Sequence, residues 1–413
     1  MTSICFYFQV HQPFRMANYS IFSIGKNHEY FDEKKNEEIA KKVANKCYLP
    51  ANKLMLDLIK RTNGKFRISY SISGVALEQF EKYTPEVIES FKELSRTGCV
   101  EFLGETYYHS LSFLYSQKEF EEQVKMHDKK IKELFGQKPK VFRNTELIYS
   151  NNIGKYAEKL GYEAVLAEGW DKVLEWRSPN YVYQPAGAKK IKLLLKNYKL
   201  SDDIAFRFSD KGWSEWPLSS EKFAAWVSAI QGQTINLFMD YETIGEHQWE
   251  DTGIFKFLEQ LPFELMNYPH IEFKTPSEVA KMETVAQLDV PYLVSWADTE
   301  RDLSAWLSNK MQQSALQEIY KLEAAVKKSR DKQLVEDWRR LQTSDHFYYM
   351  CVKYFADGDV HKYFSPYDTP YESYINFMNI LNDMLLRINQ PLRKGLFIKL
   401  LKREDSKQKA INF

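Results

Sequence analysis

Apolar runs that give way abruptly to polar residues recur along the chain up to about residue 285. The run Ile4–Val10 ends at His11, and the run Asn236–Met239 ends at Asp240. Between such runs lie stretches with apolar residues at helical spacing, of which Phe120–Phe135 is an example. This alternation of buried strands and helices predicts repeated parallel βα units.

The same pattern assigns the other elements of this region. Further predicted strands are Phe66–Ser73, Cys99–Leu103, Pro139–Phe142, Tyr162–Ala167, Tyr181–Gln184, Ile191–Lys196 and Phe273–Pro276. Further predicted helices are Leu49–Arg61, Pro85–Arg96, Ile153–Leu160, Glu221–Ile230, Ile254–Leu261 and Ser277–Ala280, with one more that begins at Val75. Because polar residues recur at the strand ends, a closed α/β barrel with one functional face is favoured over an open doubly wound sheet. The sequence contains no glycine-rich nucleotide motif, so a nucleotide-binding fold has no support.

The pattern changes after about residue 290. Three long helices are predicted over Leu303–Lys328, Asp331–Phe355 and Tyr371–Asn389, which together indicate a second, all-helical region. The acidic and aromatic stretch Trp296–Asp302 comes just before them. An exposed first turn of a helix, where acidic residues suit the helix dipole, is slightly favoured there over a flap across the barrel face.

Composition limits the classes of function. The chain has 413 residues, of which 44% are hydrophobic, and this is enough for one large domain and a smaller one. The formal net charge is +1 and no long run of one sign occurs, so nothing favours a nucleic-acid partner. Aromatic residues make up 15% of the chain, which suits a cleft that stacks flat ligand faces, although most of these rings must belong to the core.

The cysteines and the amino terminus bear on the cellular compartment. The chain has no Cys-x-x-Cys spacing, so neither a zinc site nor a redox motif is indicated. The amino terminus has no basic region or signal cleavage site, and no stretch approaches the length of a bilayer span. We therefore expect a soluble, cytoplasmic protein with no membrane partner.

Candidate chemistry gathers at the strand ends. The residues concerned are His11, Glu105, His109, Glu146, Glu168, Trp170 and Asp240. Carboxylates beside aromatic rings suit glycoside hydrolysis, which needs two carboxyl groups flanking the sugar oxygen. A metal-dependent hydrolase is the rival, with ligands from His11, His109, Asp240 and His247, but no histidine pair at i, i+4 spacing supports it. A carbohydrate-binding protein on an enzyme-like scaffold is the third alternative.

Five motifs carry a family resemblance, and they occur in the family's order across nearly the whole chain. They are His11-Gln12-Pro13, Gly104-Glu105-Thr106-Tyr107-Tyr108-His109, Arg143-Asn144-Thr145-Glu146, Met239-Asp240-Tyr241-Glu242-Thr243-Ile244-Gly245-Glu246-His247 and Thr343-Ser344-Asp345-His346. On these motifs the sequence resembles glycoside hydrolase family 57, and most of all its α-amylases. His-Gln-Pro alone would be a weak signal, but the set together is highly specific.

The resemblance implies an architecture and an activity. It implies a distorted, TIM-like (β/α)7 barrel over residues 1–285, followed by a helical bundle over residues 286–413 that completes the active-site cleft. It also implies retaining cleavage of α-1,4-glucosidic bonds in α-glucans or maltooligosaccharides, without a metal or other cofactor. A 4-α-glucanotransferase on the same scaffold is the alternative, because both reactions share a glycosyl-enzyme and only the acceptor differs.

The resemblance also implies roles for particular residues. Glu146 matches the nucleophile and Asp240 the general acid/base, while His11 and His109 match residues that line the sugar site. Asp345 and His346 fall on the motif that the helical region contributes. Further substrate-binding candidates are Glu105, Trp170 and His247. The two catalytic roles need unequal proton affinities, and two nearby carboxyl groups in unlike surroundings would supply them.

Overall fold

A computed structural model of the chain describes residues 1–353 and 365–388. It divides the chain into two compact units. The first consists of Met1–Pro13 and Glu33–Ala305, and the second of Phe14–Asp32 and the chain from Trp306 onward. This division differs from the predicted boundary after residue 285, because residues 286–305 belong to the first unit and residues 14–32 to the second. That the helical part completes an active-site cleft stays a prediction.

All strands of the described residues lie in the first unit. They are β1 Thr2–Val10, β2 Ile68–Ile72, β3 Val100–Phe102, β4 Val141–Arg143, β5 Ala164–Glu168, β6 Tyr183–Pro185, β7 Lys192–Lys196, β8 Thr234–Asp240, β9 Ile271–Phe273 and β10 Ala286–Leu288. Each predicted strand overlaps one of these. The sequence did not predict β10, because two of its three residues are exposed and no apolar run marks it.

The strand pairs form a closed set of neighbours. β1 pairs in parallel with β2 and β8, β2 with β3, β4 with β5, and β5 with β7. Just past β3, Gly104 forms a parallel bridge to Phe142 of β4. Just past β7, the Asn197 N–H donates to the carbonyl of Asn236 in β8 over 2.9 Å. The neighbour relations thus return to the starting strand, as expected for a (β/α)7 barrel.

Helices alternate with these strands. They are α1 Glu33–Val43, α2 Leu49–Arg61, α3 Gly74–Tyr83, α4 Pro85–Arg96, α5 Gln117–Phe135, α6 Asn151–Leu160, α7 Asp171–Leu174, α8 Tyr198–Ala205, α9 Ser220–Ala229, α10 Ile254–Met266, α11 Pro276–Val279 and α12 Ser304–Leu307. Local chemistry sets their ends, as α5 shows. The Ser116 side chain accepts the Glu119 N–H over 3.2 Å, and Gly136 ends the helix at φ 70°. Each helix predicted in this region overlaps one of these, so these predictions are confirmed.

The helices of the second unit are shorter than predicted. They are α13 Lys310–Lys321, α14 Glu323–Ser329, α15 Lys332–Arg340, α16 Ser344–Tyr348 and a helix over residues 370–388. The predicted helices Leu303–Lys328 and Asp331–Phe355 are wrong as continuous elements, and residues 354, 355 and 389 lie outside the described part. The breaks have a local cause. Asn309 accepts the Gln312 N–H over 3.0 Å and starts α13, while Arg330 lies in the left-handed region at φ 60° and ends α14.

A buried carboxylate explains why residues 14–32 belong to the second unit. Asp383, in the helix of residues 370–388, accepts a hydrogen bond from the Gly25 N–H over 2.6 Å. The same carboxylate pairs with His28 Nδ1 over 2.7 Å and accepts a hydrogen bond from the Tyr30 hydroxyl. None of the helices in the described residues has the length and apolar character that a bilayer span requires.

Candidate active site

The ends of β1, β3, β4 and β8 bring the candidate residues of the first unit together. Gln9, near the end of β1, lies in register with Asp240 at the end of β8. The Gln9 side-chain amide donates to Glu105 Oε1 over 3.1 Å, and Glu105 follows β3. Gln9 thus connects β8, which carries Asp240, with the loop that carries Glu105.

A histidine joins two carboxylates at this edge. His109 Nδ1 lies 2.9 Å from Glu105 Oε2, and His109 Nε2 lies 3.2 Å from Glu146 Oε1. Burial alone would lower the pKa of His109, but its hydrogen bonds to Glu105 and Glu146 raise that pKa to about 9. Burial alone would likewise raise the pKa of Glu105, but the hydrogen bond to His109 and its charge lower it to about 2. At neutral pH, His109 is therefore a buried cation between carboxylates.

Glu146 sits on a strained turn directly after β4. Its backbone lies in the left-handed region at φ 58°, which is uncommon for a residue with a side chain and typical of functional sites. The Asn144 side-chain amide donates to the Ile148 carbonyl over 3.0 Å and closes the turn. The Glu146 side chain is 19% exposed, so the carboxylate is open to a ligand. Its second oxygen, Oε2, accepts the indole N–H of Trp296 over 2.9 Å.

Asp240 is half-buried like Glu146, but its electrostatic environment differs. It ends β8. Burial and then the charge of Glu146 raise its pKa to about 6, although Arg143, Lys196 and His109 act in the other direction. The two carboxyl groups therefore lie near enough for the charge of one to change the proton affinity of the other.

The ring of His11 stacks on that of His109, with centroids 4.0 Å apart and planes 20° from parallel. His11 Nδ1 lies 2.7 Å from Ser73 Oγ, and the His11 backbone N–H donates to Glu242 Oε1 over 3.4 Å. Burial and then the charge of Asp240 raise the pKa of Glu242 to about 8. His11 is thus held against His109 by contacts to residues that follow β2 and β8.

One residue at this edge, Arg143, was given no role from the sequence, although it begins the third motif. Arg143 ends β4, is fully buried, and has its guanidinium carbon 4.8 Å from the centroid of the Trp296 ring. Its charge lowers the pKa of both Glu105 and Asp240. An arginine at the end of an apolar run, three residues before Glu146, is the signal that could have identified it.

The expectation for Trp296–Asp302 as an exposed first helical turn is wrong. The helix α12 begins only at Ser304, and Trp296 is half-buried against the turn of Glu146. The alternative, a segment lying over the strand ends, describes its position better. Its acidic and aromatic composition was the visible signal, but the partner residues lie far away in sequence.

The other predicted site residues are placed as follows. Trp170 follows β5, and its ring lies 6.4 Å from that of Tyr292 at an angle of 81°. Burial and the charge of Lys42, in α1, lower the pKa of His247 to about 4. Asp345 and His346 lie in α16 of the second unit, where His346 is buried. For all four, contact with a sugar stays a prediction.

At least one of the side chains suggested as metal ligands, His109, contacts carboxylates through both ring nitrogens. Among residues 1–353 and 365–388, no group of three or more His, Cys, Asp and Glu side chains has an arrangement that could hold a metal ion. Of the suggested ligands, His109 has both ring nitrogens against carboxylate oxygens. The residue geometry therefore gives the metal-dependent alternative no support.

Comparison with known proteins agrees with the motifs. The model of Glycosyl hydrolase family 57 matches residues 5–294. A Methanocaldococcus jannaschii protein named "Putative alpha-amylase" is 45% identical over 419 residues, which is 98% of this chain and 89% of the relative.

Two solved structures share the fold. A family 57 branching enzyme from Thermococcus kodakaraensis superposes with a TM-score of 0.68 at 15% identity, over 97% of this chain and 93% of that chain. A 4-alpha-glucanotransferase from Thermococcus litoralis gives a TM-score of 0.62 at 15% identity, over 84% of this chain and 56% of that chain. At this identity the likeness shows the fold alone, and the fold agrees with the predicted (β/α)7 barrel and helical region. The family match and the close relative together confirm the resemblance: the chain is an enzyme that belongs to glycoside hydrolase family 57.

Proposed function

We propose that this enzyme cleaves α-1,4-glucosidic bonds in α-glucans with retention of configuration, through a covalent glycosyl-enzyme on Glu146. The observation that carries the proposal is the contrast between two neighbouring carboxyl groups. Glu146 has a ring N–H directed at each oxygen, whereas the pKa of Asp240 is raised to about 6. The names of the relatives, an alpha-amylase and a 4-alpha-glucanotransferase, indicate the class of substrate.

In the first step Asp240 is neutral and donates its proton to the glycosidic oxygen. As the bond from that oxygen to the anomeric carbon breaks, the Glu146 carboxylate forms a new bond to the same carbon. The leaving sugar departs with the proton as its new hydroxyl hydrogen. The charge of His109, next to Glu146 Oε1, favours the ionised form that this attack requires.

The second step follows from the loss of charge on Glu146. Once Glu146 is an ester, it no longer raises the pKa of Asp240, so Asp240 becomes a stronger acid and remains ionised. As a carboxylate it can take a proton from water, whose oxygen attacks the anomeric carbon and releases Glu146. The two inversions at carbon give net retention, and the proton count returns to its starting value.

The residues of the proposed reaction need no cofactor, because the acid, the base and the nucleophile are all side chains. His11 and His109, stacked on each other, would form one wall of the sugar site. Trp170, His247, Asp345 and His346 remain proposed contacts to sugars further along the glucan chain.

The test is a time course with maltoheptaose, with products separated by chain length. We expect only shorter products, and we expect Glu146→Gln and Asp240→Asn to remain folded without turnover. Products longer than the substrate would show that the enzyme transfers glucan chains, which is the alternative on this scaffold. Binding of the glucan without any product, or full activity in either variant, would overturn the proposal. Loss of activity with a chelator would support the metal-dependent alternative.

A further inference from the structure

The segment that links β10 to α12, residues 289–303, contacts the residues around the proposed nucleophile through Val294 and Trp296; we call it the tryptophan loop. Val294 and Tyr149 exchange two backbone hydrogen bonds, each of 2.9 Å. The Trp296 backbone N–H donates to the carbonyl of Glu146 over 3.3 Å. The loop is therefore joined by its backbone to the strained turn that carries Glu146.

The indole of Trp296 reaches the carboxylate itself. Its Nε1–H donates to Glu146 Oε2 over 2.9 Å, while His109 lies against Oε1. Two cations lie against the indole ring, with the Arg143 guanidinium carbon 4.8 Å and Lys196 Nζ 5.5 Å from its centroid. The ring has little freedom to turn, so the direction of its N–H is fixed.

Arg301 fixes the far side of the loop. Its Nη1 lies 3.2 Å from Glu168 Oε2, and its Nη2 lies 3.2 Å from Asp202 Oδ2. Nη1 also donates to the backbone carbonyl of Trp296. Arg301 itself lies in the left-handed region at φ 51°, so this conformation must be held by its contacts. The guanidinium thus connects the residue that bears the indole to buried carboxylates at the end of β5 and in α8.

We propose that Trp296 is a positioning residue for Glu146, and that Arg301 keeps Trp296 in place. The inference rests on the proposed role of Glu146. A glutamate at the end of a strand can rotate about its side-chain bonds, and donors on opposite oxygens fix the plane of its carboxylate. With one donor removed, Glu146 spends less time in the orientation that attacks the anomeric carbon. A misplacement of about 1 Å in such a group can cost about 10²-fold in rate.

The informative change is Trp296→Phe, which keeps a ring against Arg143 and Lys196 but removes the N–H. Trp338→Phe is the matched control, because the buried indole of Trp338 donates its N–H to the Ile319 carbonyl over 2.8 Å in the second unit. Both variants lose one indole hydrogen bond of similar length, but only one of these bonds involves a carboxylate of the proposed site.

The assay compares maltoheptaose with α-maltosyl fluoride, whose fluoride leaves without a proton from Asp240. We expect Trp296→Phe to lower kcat about 10²-fold on both substrates, with KM within about twofold of the wild type. An equal loss in kcat/KM on both substrates excludes the shared hydrolysis of the glycosyl-enzyme and the proton donation by Asp240, which leaves the attack by Glu146. The acidic limb of kcat/KM should also move to higher pH, because a carboxylate with one donor fewer is harder to keep ionised. Trp338→Phe should lower the Tm and leave kcat unchanged.

A second variant tests whether Arg301 keeps Trp296 in place. Arg301→Lys keeps the charge but cannot contact two carboxylates in a fixed fork, so it should show the same loss in kcat to a smaller degree. An unchanged kcat in Trp296→Phe, or a rise in KM alone as expected for a sugar-stacking ring, would overturn the inference. The proposed function fails separately, if the wild type does not act on maltoheptaose or if Glu146→Gln stays active.

Discussion

Two buried clusters of charge lie at strand ends of the first unit, and they differ in how the charges balance. In the cluster after β5 and β7, Glu168 lies 3.8 Å from Lys196 and 3.2 Å from Arg301, while Asp202 lies 3.0 Å from Lys196 and 3.2 Å from Arg301. Each carboxylate has two cations and each cation two carboxylates. The Glu168 side chain has no exposed surface. Such a cluster suits a structural role, which here is to keep the tryptophan loop in position.

In the cluster after β3 and β4, two carboxylates share one cation. His109 lies between Glu105 and Glu146, while the charges of Arg143 and Asp240 act on this group from nearby. Glu146 keeps 19% of its side chain exposed. Burial and then the charge of Glu146 raise the pKa of Asp240, against the charges of Arg143, Lys196 and His109. Charges at a strand end are therefore not in themselves a sign of catalysis; a raised carboxyl pKa beside a partly exposed carboxylate is the more specific sign.

Substitutions in the two clusters should differ most in what they impair: turnover in one cluster and stability in the other. Glu146→Gln and Asp240→Asn should lower kcat by about 10⁴-fold or more with little change in stability. Glu168→Gln should instead lower the free energy of unfolding by about 3 kcal/mol, because Lys196 and Arg301 lose a buried partner. Steady-state kinetics and urea unfolding of the three variants measure both quantities. Loss of turnover without loss of stability in Glu168→Gln would contradict the distinction between the clusters.

The next effect concerns the pH dependence of stability. The pKa of His109 is raised from 6.5 to about 9 on folding, so its contribution is complete below pH 6.5 and is lost as the pH rises through 9. The contribution of Glu105 to stability changes with pH in the opposite direction. It is present above an unfolded pKa of about 4.3 and is lost as the pH falls towards 2.

We therefore expect His109 to account for a loss of about 3 kcal/mol of unfolding free energy between pH 6.5 and 9. Glu242, whose pKa is raised to about 8, should add to the loss in this range. In His109→Gln the part due to His109 should be absent, so the two proteins should differ less in stability at pH 9 than at pH 6.5. Urea unfolding across this range checks the expectation. Parallel curves for the two proteins would mean that His109 does not carry a raised pKa in the folded state.

A smaller effect is expected at the alkaline limb of activity. Since the proposed mechanism requires a neutral Asp240 to donate a proton, kcat/KM should fall above its pKa of about 6. The positive charge of Arg143 lowers that pKa, so Arg143→Gln should move the alkaline limb up by about one pH unit. Arg143→Lys is the control, because it keeps the charge and should leave the limb where it is. Equal profiles for all three proteins would remove Arg143 from the electrostatics of the site.

Much of the barrel could be predicted from the sequence, because its long strands are buried throughout. In β1 every residue is buried, and in β8 all but Asp240 are, so an apolar run marks each element. The short helices of the second unit could not be predicted by spacing alone. Apolar periodicity continues across their ends, whereas the caps depend on one or two local hydrogen bonds: a reciprocal pair between Asn309 and Gln312, and the bond that Asp331 accepts from the Leu334 N–H.

The site was predictable where its residues belong to a motif, and unpredictable where contacts join distant segments. Glu146 and Asp240 were identified from motifs, whereas Trp296 lies 150 residues from the glutamate that its indole contacts. The assignment of residues 14–32 failed for the same reason, since Gly25 and Asp383 are 358 residues apart. Such pairings follow from the folded path of the chain and leave no local pattern.

Trapping of the proposed glycosyl-enzyme would show which side chain attacks the anomeric carbon. The protein is incubated with a fluorinated maltosyl fluoride whose glycosyl-enzyme hydrolyses slowly, then digested and examined by mass spectrometry. We expect one added glycosyl group, on the peptide that contains Glu146 and on that side chain, with no label in Glu146→Gln. A label on another carboxylate, or turnover of the reagent with inversion at the anomeric carbon, would contradict the proposed mechanism.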